Sequence, residues 1–166
     1  MQAFDGGRVF LSTTFGGETT ALAACKATLD VLDTTDALTQ LAQCGMKLGC
    51  ALSALFTIHD LPMRLRGNYA RMVIDFDGIP GLVSADELRT LWLQELVKHD
   101  VLASVPLFPM TCYTAGIVEE VLSAADAACG VLAQVVHEQR PIGDVLECPV
   151  ITDVFRQRYA AEEERG

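Results

Sequence analysis

The residues best placed to do chemistry lie near the start of the 166-residue chain, in the run Ser12-Thr13-Thr14-Phe15-Gly16-Gly17-Glu18-Thr19. Three consecutive hydroxyls are followed by a glycine pair, which lets a ligand approach the backbone closely. A hydroxyl donates to a phosphate oxygen, and the unpaired N–H groups of a helix's first turn face the same kind of anion. Residues 8–12 read as a strand with Val9 and Phe10 buried. A helix begins near Thr19, where Leu22, Cys25, Leu29 and Leu32 recur at helical spacing. Strand, glycine-containing loop and helix N-terminus together suit a dianion. The same residues also make an ordinary strand-to-helix turn with Thr19 or Thr20 as the cap. Neither G-x-x-x-x-G-K-S/T nor G-x-G-x-x-G is present, so the residues alone leave both readings open.

No other group of side chains makes a catalytic or metal-binding pattern. The lysines are Lys26, Lys47 and Lys98. His59, His99 and His137 fall near helix ends without a triad or ligand partner in sequence and read as surface residues. Arg64, Arg66 and Arg71 lie on extended segments and read as solvated or structural, the alternative being that one reaches a substrate carboxylate. Cys25, Cys44, Cys50, Cys112, Cys129 and Cys148 include no C-x-x-C pair and none at metal-ligand spacing from a histidine. Most fall on apolar faces, where a thiol acts as a small hydrophobe. Reduced, buried cysteines imply a cytoplasmic location.

The elements that must position the first run can be read from composition and period. Hydrophobic residues make up 51 % and aromatics 7 %, so the core rests on Leu, Val and Ala, as suits helices packed on a sheet. The net charge of −10 repels a phosphate backbone and argues against nucleic acid as a partner. Glu162-Glu163-Glu164 reads as a solvated end. Residues 1–7 lack the apolar stretch of a signal peptide. No uninterrupted apolar run reaches ~18 residues, so no membrane span is expected.

A second helix is expected over residues 36–56, with Leu38, Leu41, Leu48, Leu52 and Leu55 on one face and Thr34 or Thr35 capping its start. It connects two bodies and exits at Pro62. Residues 63–66 and 69–76 read as extended, with a bend or bulge at Gly67-Asn68. Ala70, Met72, Ile74 and Phe76 face one way, Arg71 and Asp75 the other. Ser84 followed by Glu87 is a capping box, opening a helix whose buried stripe is Leu88, Leu91, Trp92 and Leu96. Short strands are expected at 101–103 and 109–113. A last long helix over 114–139 has an inner face of Val118, Val121, Leu122, Ala125, Cys129, Leu132 and Val136. The fold class is α+β: a small antiparallel sheet covered by helices.

The run Arg8-Val-Phe-Leu-Ser-Thr-Thr-Phe-Gly-Gly-Glu-Thr19, with Ala21-Leu-Ala-Ala24 after it, resembles the late large-domain segment of class III pyridoxal-phosphate-dependent aminotransferases. There a T-F-x-G turn precedes an Ala-rich helix. The likeness continues at Ala27–Leu32, at Leu91-Trp-Leu-Gln-Glu-Leu96 with Val101-Leu102, and at Cys112-Tyr-Thr114 leading into Ala124-Ala-Asp-Ala127. The ending Cys148-Pro-Val-Ile-Thr-Asp-Val-Phe-Arg156 resembles tails of the glutamate-1-semialdehyde 2,1-aminomutase-like branch. The resemblance implies the end of the large domain and the small C-terminal domain of a fold type I enzyme: residues 1–34 from the cofactor-binding domain, 35–143 the small α+β domain with its connecting helix, 144–166 a tail.

The resemblance further implies pyridoxal 5'-phosphate as cofactor. Thr14, with Thr13 the weaker candidate, would touch only its phosphate across a dimer interface. The implied activity is amino-group transfer between a small amino compound and an aldehyde or keto acid; aminomutase and ordinary aminotransferase share this segment. The residues that choose the substrate would lie outside it and around 105–113. The family's Schiff-base lysine precedes the T-F-x-G turn, as does the acidic partner of the pyridine nitrogen, and Lys26, Lys47 and Lys98 do not match it. The chain alone is therefore expected to be inactive, with no catalytic residue and no metal. Its partner would be a second copy in a homodimer or a lysine-bearing N-terminal portion. The alternatives are a non-catalytic dimerisation or complementation module, and a truncated relic whose first helix lacks its cover.

Overall fold

The computed structural model describes residue 14 and residues 16–152. The expected strand at 8–12 lies outside the described residues. The chain divides into two compact units, Met1–Thr39 and Gln40–Gly166.

In the first unit, helix α1 spans Thr19–Thr34. None of its residues is buried, and Leu22, Leu29 and Val31 are exposed. At its end Thr35 Oγ1 donates to the Val31 carbonyl at 2.7 Å and accepts from the Ala37 N–H at 3.3 Å. That hydroxyl thus supports the start of α2, Ala37–Ile58, as Thr35 was expected to do.

The second unit is α+β. After α2 come β1 (Met63–Asn68), β2 (Arg71–Phe76), α3 (Ala85–Lys98), β3 (Pro106–Leu107), α4 (Ala115–His137) and a 3-10 turn at Ile142–Asp144. The sheet has three strands in the order β1-β2-β3, antiparallel throughout. Asn68 pairs with Arg71, so the hairpin turns at Tyr69-Ala70, not at Gly67-Asn68 as expected. Asn68 Oδ1 accepts the Ala70 N–H at 2.9 Å, a side-chain bond that fixes the turn locally. Gly67 stays within β1 at φ +100, a conformation that disfavours any side chain.

The strands expected at 101–103 and 109–113 are replaced by β3 alone. Val73 pairs with Pro106 and Met72 with Leu107. Proline lacks the N–H that a central strand donates, so it is confined to a short edge.

Alternation holds in the hairpin. Met63, Met72 and Ile74 are buried, while Arg64, Arg66 and Asp75 share the opposite face. The core joins that inner face to Leu48, Leu52 and Phe56 of α2, to Leu88, Leu91, Trp92 and Leu96 of α3, and to Val118, Ala125, Cys129, Leu132 and Val135 of α4. Val121, Leu122 and Val136 are only partly buried. Phe56 and Trp92 meet edge to face, with centroids 5.7 Å apart and planes at 81°. Buried Ala124, Ala125 and Ala128 allow close approach to α4. Its start is capped by Thr114, whose Oγ1 accepts the Ile117 N–H at 3.3 Å.

Helix α2, at 22 residues, is long and apolar enough by composition to cross a membrane, although Gln40, Gln43 and Lys47 interrupt its apolar run. Its residues Leu48, Leu52 and Phe56 instead pack in the core. Cysteines also depart from expectation. All six are free, yet only Cys129 is buried; Cys44 is intermediate and the other four are exposed.

Candidate functional site

Thr14 is exposed at a bend, and Gly16 and Gly17 form a turn ahead of α1. Thr13, the weaker candidate, lies outside the described residues. Glu18 is the N-cap, with extended φ −67 and ψ 123, and its side chain makes no cap hydrogen bond. The Leu22 N–H donates to the Glu18 carbonyl at 3.0 Å, closing the first turn. The Glu18 side chain leaves the N–H groups ahead of it uncapped, and the first turn carries no acidic residue. Hydroxyls at Thr14, Thr19 and Thr20 beside such a helix start can hold an anion's oxygens. The Glu18 carboxylate is an opposing charge at this position.

The three lysines differ in their surroundings. Lys26 Nζ is paired with Asp30 at 2.6 Å within α1. Lys98 is held by Glu95 at 2.8 Å and Glu147 at 2.7 Å; bonds from Glu147 and then Glu95 raise its pKa. A raised pKa keeps the amine protonated and unreactive. Lys47, exposed on α2 of the second unit, lines a cleft of ≈320 Å³ with Gln40, Gln43, Cys44, Thr111 and Tyr113.

Arg64, Arg66, Arg71, His59 and His137 have structural partners, while His99 is the C-cap of α3. Arg66 Nε donates to Asp75 at 2.6 Å across the hairpin, while Arg64 pairs with Asp77 and approaches Asp75 at 3.8 Å. Arg71 lies over the Phe108 ring, 5.8 Å from its centroid. His59 Nε2 meets Asp126 Oδ1 at 2.7 Å, and His137 Nε2 donates to the His59 carbonyl at 3.0 Å. These bonds tie the exit of α2 to α4. The sequence held no hint of the His59–Asp126 pair, because 67 residues separate the partners.

Two more clefts were not foreseen. Gly49, Cys50, Ser53, Arg66 and Tyr69 line one of ≈370 Å³ between α2 and the hairpin. There Cys50 Sγ lies 3.9 Å from Tyr69 Oη, and this contact raises the Tyr69 pKa. The other, ≈240 Å³ and mostly apolar, is lined by Leu48, Pro106, Leu107, Phe108, Met110 and Tyr113, within the segment expected to influence substrate choice. Among the described residues no group of three or more His, Cys, Asp or Glu could hold a metal.

No protein-family model and no curated protein sequence matches the chain. Solved structures do. The FumI protein of Sphingopyxis sp. MTA144, in its PLP internal aldimine form, matches with a TM-score of 0.66 at 23% identity, over 87% of this chain and 35% of that one. A transaminase with PLP bound matches with a TM-score of 0.63 at 17% identity, over 79% of this chain and 31% of that one. The fold is similar to that of part of each of these structures. The chain spans about a third of the length of either structure.

Proposed function

We propose that this chain is the C-terminal part of a PLP-dependent aminotransferase or aminomutase, of class III and the glutamate-1-semialdehyde aminomutase-like branch. The complete protein would move an amino group between a small amino compound and an aldehyde or keto acid. The observation that carries the reading is the fold likeness over 87% of this chain and only 35% of its neighbour. The Thr14-Phe15-Gly16-Gly17 resemblance supports it, and so does the α1 start behind it. On this reading residues 1–34 end the cofactor domain, 35–143 form the small domain and 144–166 its tail, in a cytoplasmic protein.

The residues present fit the phosphate end of the cofactor. The Thr14 hydroxyl, with Thr13 beside it, would donate to a phosphate oxygen across a dimer interface, and the open first turn of α1 supplies further donors. When bound, the cofactor supplies the electron sink for chemistry at the amino carbon. Lys26 and Lys98 are held by carboxylates and none of the three lysines precedes the turn, so the Schiff-base lysine comes from outside these residues.

The test is borohydride treatment after PLP addition, followed by peptide mapping. The chain alone is expected to give no adduct at Lys26, Lys47 or Lys98; a stoichiometric adduct at Lys26 overturns the reading. With a lysine-bearing N-terminal portion supplied, PLP is expected to be retained, and Thr14→Val to weaken retention about tenfold through a lost charge-assisted hydrogen bond.

Exposed Leu22, Leu29 and Val31 on α1 favour a second reading, a non-catalytic complementation module. Co-purification with a partner that never binds PLP supports it over the first.

A further inference from the structure

The segment after the 3-10 turn joins no strand, yet side chains of α3 hold it at several points. Gln94 Nε2 donates to the Val145 carbonyl at 2.8 Å, and its Oε1 accepts the Glu147 N–H at 2.7 Å. One turn earlier Thr90 Oγ1 accepts the Ile151 N–H at 2.9 Å, and Arg89 Nη2 donates to the Ile151 carbonyl. One turn later Lys98 Nζ meets the Glu147 carboxylate at 2.7 Å. Residues 90, 94 and 98 are spaced to form one stripe of a helix, and the segment runs against the helix direction. Apart from the Lys98 ion pair and a weak Cys148 thiol contact to Gln94 Oε1 at 3.7 Å, these bonds go to the segment's backbone.

Each of these helix side chains also has a partner on α3 itself. Thr90 Oγ1 donates to the Asp86 carbonyl at 2.7 Å. Arg89 pairs with Asp86 at 3.1 Å. Gln94 Nε2 and Lys98 Nζ both reach Glu95 Oε1, at 2.9 Å and 2.8 Å. If the segment left, none of these four side chains would be stripped of all its partners, so departure carries little of the penalty of an orphaned buried polar group. What would be lost, besides the α3 bonds to the segment, is the apolar cover of Val145, which is buried, and Leu146, which is partly so.

We propose that residues 145–152 are a clasp on α3 that opens and closes as its own unit while the α3–α4 core stays folded. The stripe Thr90, Gln94 and Lys98, with Arg89, is its seat. A segment held by side chains and by few apolar contacts belongs to the low end of local opening free energies. The clasp decides whether residues 145–152 are part of the folded unit or free of it.

Residue-resolved amide exchange on the full chain tests this. The Glu147 and Ile151 amides are expected to be protected, and to exchange faster than those of Leu91, Trp92 and Leu132. Thr90→Val removes the acceptor for Ile151: its amide is expected to exchange about tenfold faster, with the core amides changed by less than about twofold. Thr90→Ser, which keeps the hydroxyl, restores protection. Gln94→Ala, at a half-buried site, independently frees Glu147. The proposal is overturned if Glu147 and Ile151 are unprotected in the wild-type chain. It is equally overturned if they exchange in step with the core, or if the variants leave both amides unchanged or loosen the core to the same extent.

Discussion

Gly45 of α2 sits directly against the Tyr69 carbonyl at the hairpin turn: a Cβ on Gly45 would lie 2.1 Å from that oxygen and 2.8 Å from its carbon. Both atoms are backbone, so no side-chain rotation relieves the clash. Gly45→Ala must push the helix and the turn apart and is expected to cost at least ~1–3 kcal/mol, the range of overpacking. Gly130→Ala is the control, since nothing lies within 4 Å of a Cβ there. Inside α4 it should stabilise by about 1 kcal/mol, the helix-propensity difference. Urea unfolding of the two variants checks the opposite signs.

Across the hairpin, the bond from Arg66 holds the Asp75 carboxyl below its ordinary pKa, against some opposing desolvation. A depressed folded pKa means that the stabilisation is present above the unfolded value of ~3.9 and is lost as pH falls through the folded value. Asp75→Asn removes it. The variant is expected to be less stable than wild type at neutral pH, and the gap to close on acidification. Thermal melts from neutral to strongly acidic pH read this out; a gap that stays constant with pH refutes the assignment.

At the start of α3 the capping box is complete. Ser84 Oγ accepts the Glu87 N–H at 3.2 Å, and the Ser84 N–H donates to Glu87 Oε2 at 2.7 Å. Bonds from the Ser84 backbone and then its side chain lower the Glu87 pKa. Ser84→Ala is expected to cost ~1 kcal/mol, as for other N-caps, and to move the Glu87 pKa part of the way back up. Carboxyl titration by NMR separates these effects, because the backbone bond survives the substitution.

The Ser84–Glu87 box was legible because all its information lies within one turn of chain. The same is true of the stripe Leu88, Leu91, Trp92 and Leu96, and of the alternation in β2. The turn at Tyr69-Ala70 was misplaced because Gly67 looked like the bend, whereas its φ of +100 is accommodated inside β1. The third strand was misplaced because two residues of edge pairing around Pro106 leave no periodic trace. In the candidate site, the hydroxyls and glycines near Thr14 suit an anion and an ordinary turn alike, so the residues alone do not choose between them. The His59–Asp126 pair and the Gln94 contacts to 145 and 147 were hidden, since long separations bring their partners together. The exposed face of α1 was equally hidden: a helical period says which residues share a face, not what covers it.

Cys129 is fully buried in α4, and burial, with Asp126 adding a negative charge nearby, pushes its thiol up to about 12. Reaction requires the thiolate, so the native chain should resist a thiol reagent at Cys129 in mildly alkaline buffer while exposed Cys25, Cys50, Cys112 and Cys148 react. Mapping labelled peptides with increasing urea should show Cys129 becoming reactive only with global unfolding, which makes it a built-in reporter of the core. The sign of the pH effect follows from the raised folded value. Stability from the neutral thiol is fully present below the unfolded pKa of ~8.5 and falls as pH rises above it, towards the folded value of about 12. Cys129→Ala abolishes this contribution, so wild type and variant should converge in stability on the alkaline side. Rapid labelling of Cys129 in the native chain would show instead that α4 opens locally.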